Sequence, residues 1–200
     1  LWPAETAPEK PLALLDRRFA QQFRMEQARA FVWGQVPTVA NFRPGHLESR
    51  AEEMGFVIRL AKLRQRATDY LLHGTMLRPP EMAIPTEEIP ISRLSIYAGQ
   101  QGALSEYTAE HPLLITSAWQ APDGGVAVVV ANIDEASQRV AFTMDAETWP
   151  IPKAGSVRML ADNGAERTTA YEGAVLVDEE LPGASARVYA IPAARTAGGQ

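Results

Sequence analysis

The sequence predicts an α+β chain: a helix–strand–helix remnant of an α/β barrel, then an antiparallel β-sandwich of about eight strands. Three observations predict it. Apolar residues recur every three or four positions up to Gly74, and every second position beyond it. Gly/Pro/Asp/Asn clusters divide the later part into short segments with no helical pattern between them. The early part holds two substantial helices but one strand, whose N–H and C=O groups find no ladder partner in their own segment. Two units are therefore expected, a partial barrel segment over residues 1–74 and a sandwich over 75–200.

The first helix is read from Leu12, Leu15, Phe19, Phe23 and Ala30 on one face. Asp16, Arg17, Arg18, Gln21, Gln22 and Arg24 occupy the other, and Pro11 suits the first turn. Phe31-Val32-Trp33-Gly34 breaks the pattern, and Gln35 to Phe42 reads as one mostly buried strand with Pro37 near its start. The second helix opens at Ser49, which with Glu52 has capping-box spacing, and closes at Gly74, a residue suited to a left-handed stop. Glu48, Glu52 and Glu53 lead it, while Lys62, Arg64, Arg66 and His73 trail, the order favoured by the helix dipole. Met54, Val57, Ile58, Ala61 and Leu72 line its stripe; Phe56, Leu60, Leu63 and Leu71 widen it, so cover on more than one side is expected.

Beyond Gly74 the strands expected are Met76–Leu77, Leu94–Ala98, Leu113–Trp119, Val126–Asn132, Arg139–Met144, Ser156–Ala161, Ala174–Asp178 and Ala186–Ile191. Pro122 to Gly125, Asp162-Asn163-Gly164 and Leu181-Pro182-Gly183 supply turns between them. A small, polar, frayed tail is expected from Ala193.

Composition narrows the function. With 46% hydrophobic and 22% charged residues the chain is ordinary globular material. A net charge of −5 argues against nucleic acid or an anionic membrane as partner, since both need a basic face. No run reaches the ~20 apolar residues of a membrane span. There is no cysteine, so disulfides and thiolate metal sites are excluded and the compartment stays open. Leu1-Trp2-Pro3 lacks an initiator methionine and a signal-peptide pattern, which suggests a processed or excised chain. The solitary strand points the same way, its missing neighbours lying upstream; pairing with the sandwich edge or with a second copy of the chain is the alternative.

Residues Ala30 to Phe42 (AFVWGQVPTVANF) resemble the last barrel strand of bacterial glycoside-hydrolase-like proteins with a large (β/α)8, or TIM, barrel, grouped under the DUF6259 label. Phe56 to Arg64 is similar to the barrel's closing helix, and Leu77-Arg78-Pro79-Pro80 to the start of the family's C-terminal sandwich. Ser117-Ala118-Trp119, Asp123-Gly124 and Ala131-Asn132-Ile133 look like two adjoining sandwich strands, a layout also similar to α-galactosidase-type enzymes. The likeness implies the C-terminal part of a carbohydrate-active parent, and no motif in it is a catalytic signature.

Glycoside hydrolysis needs two facing carboxyl groups, and in a barrel these stand at the C-terminal strand ends. Here that end reads Asn41-Phe42-Arg43, so the catalytic pair is expected upstream and the isolated chain is expected to be inactive. Recognition chemistry remains. Trp33 can stack on a sugar face, Gln35 and Asn41 can bond hydroxyls, and Arg43 and His46 can reach a ring oxygen or an acidic sugar. The plainer reading makes Trp33 barrel core and Arg43 a cap or surface ion pair. Carbohydrate is thus the expected partner, with no cofactor and no metal; His46, His73 and His111 lack ligand spacing. Glu87-Glu88 reads as a solvated loop, and Asp123-Gly124-Gly125 as a hairpin turn rather than a calcium loop. The rival function is a non-catalytic carbohydrate-binding or interaction module presenting Tyr97, Tyr107 or Trp119 as a stacking platform, against their plainer role as core and edge cover.

Overall fold

A computed structural model of the chain describes residues 19–39, 44–93 and 105–193. Among these residues four helices come first: α1 (Ala20–Val32), α2 (His46–Ser49), α3 (Ala51–Arg66) and α4 (Thr68–Leu71). Ten strands follow, β1 (Thr75–Leu77), β2 (Thr86–Arg93), β3 (Ser105–Pro112), β4 (Leu114–Gln120), β5 (Val126–Asn132), β6 (Gln138–Asp145), β7 (Ala154–Ala161), β8 (Glu166–Glu172), β9 (Ala174–Leu181) and β10 (Ser185–Ile191). A six-stranded antiparallel sheet has the order β1-β4-β5-β10-β7-β8, and β2–β3 and β6–β9 form two-stranded ribbons.

The sheet is the middle layer. Its centre, β5, is buried at every position, which is why VAVVVAN lacks the alternation of a half-exposed strand. Ala127, Val129 and Ala131 join one core with Phe31, Phe56, Leu60, Leu63, Ile89 and Ile91, so α1, α3 and the β2–β3 ribbon cover that face. Val126, Val128 and Val130 join the other with Val140, Phe142, Met144, Val175, Val177 and Leu181 of the β6–β9 ribbon. That second pairing of layers is the β-sandwich. On the helix side β10 repeats the pattern of β5: Ala186, Val188 and Ala190 stand opposite Ala131, Val129 and Ala127. Under the helices the two central strands thus form a shallow Ala-Val-Ala double stripe, flanked by Ile115 and Trp119 of β4 and Leu160 of β7, whereas Tyr189 and Ile191 bring bulk to the ribbon side.

Several expectations are corrected. Residues 35–39 form no strand, and Gln35, Val36 and Thr38 are exposed rather than buried. The β-branched residues have the propensity for a strand but no ladder to join, and the Thr38 carbonyl instead accepts from Gln27 Nε2 at 3.0 Å. The Ala40–Phe42 part of that expected strand lies outside the described residues, as do the expected start of the first helix, the expected strand Leu94–Ala98 and the tail beyond Ala193. The buried face of α1 is rotated from the one read off the sequence: Arg24, Met25, Gln27, Ala28, Phe31 and Val32 are covered. Arg24, assigned to the wet face, buries its stem because Nε donates to the Ile133 carbonyl at 2.8 Å.

The long second helix is broken at Arg50 (φ −135°, ψ 43°) and Ala67 (φ −114°, ψ 27°) into α2, α3 and α4. Ser49 closes α2, its hydroxyl donating to the Gly45 carbonyl at 2.8 Å, so no capping box forms. Phe56, Leu60 and Leu63 make the core face of α3, while Ile58 and Leu72 are exposed. Gly74 is not left-handed; a Cβ there would meet the Gln120 carbonyl oxygen at 2.8 Å, a close approach in place of a stop signal. Glu87-Glu88 lies in a strand, β2, with both residues exposed, and not in a loop.

Candidate functional site

The exit of α1 carries two of the residues singled out for recognition, and its geometry follows from unsatisfied helix-end carbonyls. Ser117 and Trp119 are two apart on β4 and so share one face, turned to the helix. Ser117 Oγ donates to the Val32 carbonyl at 2.6 Å and Trp119 Nε1 donates to the same oxygen at 3.0 Å. The chain then turns through Gly34 at φ 72°, where a Cβ would lie 2.5 Å from the Leu71 carbonyl oxygen and 3.0 Å from the Trp119 ring. Only glycine fits there. Arg64 Nη2 of α3 donates to the Gly34 carbonyl at 3.0 Å, and the Gln35 N–H returns to the Ala30 carbonyl at 2.8 Å.

On this fixed turn Trp33 is 50% exposed and Gln35 is exposed beside it. The two flank Gly34 on the turn. His46, partly buried, opens α2, and Asn41 and Arg43 between them lie outside the described residues. An exposed indole with a neighbouring amide can stack on an apolar ring face and bond its hydroxyls. Of the rival platform, Trp119 is core at 8% exposure, Tyr107 on β3 is 47% exposed, and Tyr97 lies outside the described residues. Sequence reasoning missed the clamp of Ser117, Trp119 and Arg64 around the turn. The period-two pair Ser117/Trp119 was its one visible signal, because a polar atom on each of two same-face positions of an apolar strand calls for a buried partner.

Several carboxyl groups among the described residues are committed to arginines. Burial raises Glu179, but the Tyr189 hydroxyl and the guanidinium groups of Arg167 and Arg187 outweigh it and hold it below the usual range. Glu166 is held low by Arg158, then Arg66, and Asp178 by Arg139. Asp162 is pushed up by burial, against the hydrogen bond and charge of Arg59. Its partner Arg59 Nε is 3.0 Å away. Glu88 and Glu110 stand opposite in register on the β2–β3 ribbon, both exposed. Side by side on one open face, they cannot address the two faces of a sugar ring. Among the described residues no cluster of three His, Cys, Asp or Glu could hold a metal ion, and no helix is long and apolar enough to cross a membrane.

No family model matches the chain, and no curated protein matches it. Among solved structures it is similar to the α-amylase of Geobacillus thermoleovorans in complex with acarbose, at 12% identity and a TM-score of 0.43, over 88% of this chain and 34% of that one. It is also similar to an Anoxybacillus α-amylase at 14% identity and a TM-score of 0.42, over 90% of this chain and 33% of that one. The chain therefore spans about a third of the length of each of these enzymes. Overlap of that extent leaves activity to be argued from the chain's own residues.

Proposed function

We propose that this chain is the C-terminal portion of a carbohydrate-active enzyme of the glycoside-hydrolase kind. In this reading residues 1–74 belong to the end of a barrel, residues 75–200 form the sandwich that braces it, and the catalytic carboxylates belong to another part of the enzyme. The DUF6259 likeness of residues 30–42 and 56–64 belongs to the same proposal. The observation that carries the reading is the turn after α1, where four directional bonds fix the backbone while Trp33 remains half exposed next to Gln35. A rigid aromatic loses little conformational freedom on stacking, the economy that sugar recognition favours. Asn41, Arg43 and His46 are proposed as further contacts of the same subsite.

The commitment of Glu179, Glu166 and Asp178 to arginines, which holds each below the usual carboxylate range, supports an isolated chain without hydrolytic turnover. Asp162, the carboxyl that burial raises, is tied to Arg59, and among the described residues no second carboxyl acts on it. Titration of the chain with neutral and acidic oligosaccharides, followed by tryptophan fluorescence and calorimetry, tests the recognition claim. Binding should be lost in Trp33→Ala and weakened in Gln35→Ala. Undiminished binding by Trp33→Ala sinks that claim, and turnover of aryl-glycosides that survives repurification sinks the inactivity claim. The exposure of Tyr107 favours a second reading, a binding module that uses the β2–β3 ribbon. Loss of binding in Tyr107→Ala with Trp33→Ala intact would select it.

A further inference from the structure

Glu179 lies on β9 of the ribbon, whereas its partners lie on the sheet. Arg167 Nη2 of β8 stands 2.5 Å from one carboxylate oxygen. The Tyr189 hydroxyl of β10 donates to the other at 2.7 Å, and Arg187 Nη1, also of β10, is 2.7 Å from that oxygen. Tyr189 is fully buried, its ring edge-on to Phe142 of β6 at 5.4 Å between centroids and 80°. Three side chains of one layer thus converge on a single carboxylate of the other. Among the described residues it is the one ionisable tie between those layers. Asn132 Nδ2 reaches the Leu181 carbonyl at the ribbon's end at 3.1 Å, but that bond does not titrate.

We propose that Glu179 is a proton-operated latch: charged, it holds the ribbon on the sheet, and protonated, it lets the ribbon lift while the helix-covered face stays closed. The physics is local. Neutralising Glu179 leaves the Arg167 and Arg187 guanidinium groups facing one place with no counter-charge, and partly buried like charges repel. Among the described residues no other charged group pairs with Glu179. From β6, Val140 stands opposite Glu179 in register. Asp178 and Glu180 of β9 are on the exposed outer face, where Asp178 pairs with Arg139. Because the carboxyl of Glu179 is held below its usual range, the latch is fully closed above that range and opens as pH falls through the lowered value.

Native-state hydrogen exchange on the full chain between about pH 7 and about pH 3.5, corrected for intrinsic rates, reads the latch directly. On acidification β6 and β9 amides should lose protection by at least about tenfold more than those of β4 and β5. Glu179→Gln should show that loss already at neutral pH. Arg167→Met, with one cation fewer supporting the charge and no second guanidinium to repel Arg187, should move the midpoint to higher pH and shrink the loss of protection, and Asp178→Asn should leave the midpoint in place. The proposal falls if Glu179→Gln keeps native protection in the ribbon, if ribbon and sheet lose protection together, or if Asp178→Asn abolishes the acid response. Should Glu179→Gln fail to fold, the Arg167→Met midpoint decides, and an unmoved midpoint overturns the latch.

Discussion

The six-stranded sheet is covered on its two faces by layers of opposite character. Toward the helices its two central strands offer small side chains, Ala127, Val129 and Ala131 beside Ala190, Val188 and Ala186, with Ile115, Trp119 and Leu160 at the margins. Toward the ribbon it offers Val126, Val128 and Val130 beside Tyr189 and Ile191, which interlock with Phe142, Met144 and Val177. The polar fastenings differ in kind as well. Arg24, Arg59 and Arg66 of the helices donate to the main-chain carbonyls of Ile133, Ala184 and Ala161 at 2.8, 2.7 and 3.0 Å. The same arginines also pair with the carboxylates of Glu135, Asp162 and Glu166, whereas the ribbon is fastened to the sheet through the carboxylate of Glu179. One sheet therefore holds the helices by main-chain bonds backed by ion pairs, and the ribbon by bulk and one shared carboxylate.

The sharpest test of that contrast is a matched pair of truncations. Phe31→Ala on the helix side and Phe142→Ala on the ribbon side should each cost about 3–5 kcal/mol in urea unfolding. Hydrogen exchange should find the excess opening of the first in α1 and α3, and that of the second in β6 and β9. Equal opening everywhere would erase the distinction between the faces. Next in size is overpacking. Ala131→Leu places new methylenes under the helices where the stripe is shallow, and about 1–3 kcal/mol should be lost.

A smaller effect separates the faces by pH. Burial holds Asp162, the partner of Arg59, above the usual carboxylate range, so the folded chain binds that proton more tightly than the unfolded one. Its stability contribution is complete below about pH 4 and declines as pH rises through the raised value, opposite in sign to that of Glu179. Urea midpoints measured across that window should show a pH-dependent component that vanishes in Asp162→Asn; an unchanged profile would remove the contrast. Smallest of all, Trp33→Ala should alter unfolding by no more than about 0.5 kcal/mol, as expected of a side chain standing largely clear of both cores.

The strand pattern of the sandwich was legible because period-two burial leaves a local trace. β5 coincides with the expected Val126–Asn132, and β1, β4, β6, β7, β9 and β10 each overlap an expected strand. Three strands left little trace. β2 carries Pro90 and Glu87-Glu88 within an eight-residue run, β3 is mostly polar, and β8 is an edge strand exposed almost throughout. The helix faces were misjudged for a different reason. Arg24 is buried by a carbonyl 109 residues away, and no local pattern can announce that. At the candidate site the break at Gly34 was legible in the sequence, but what immobilises the turn comes from β4 and α3, long-range contacts that periodicity does not encode.

The paired Ala-Val-Ala stripe has a mechanical corollary. A low centre gives a helix few grooves to engage, so apolar registration falls to the bulkier margins, Ile115 and Trp119 of β4 and Leu160 of β7. A handful of arginine, serine and indole anchors share that task as guy-ropes. Cutting one of them would loosen a helix on that floor while it remained desolvated, and Trp33, at the clamped exit of α1, would move with it.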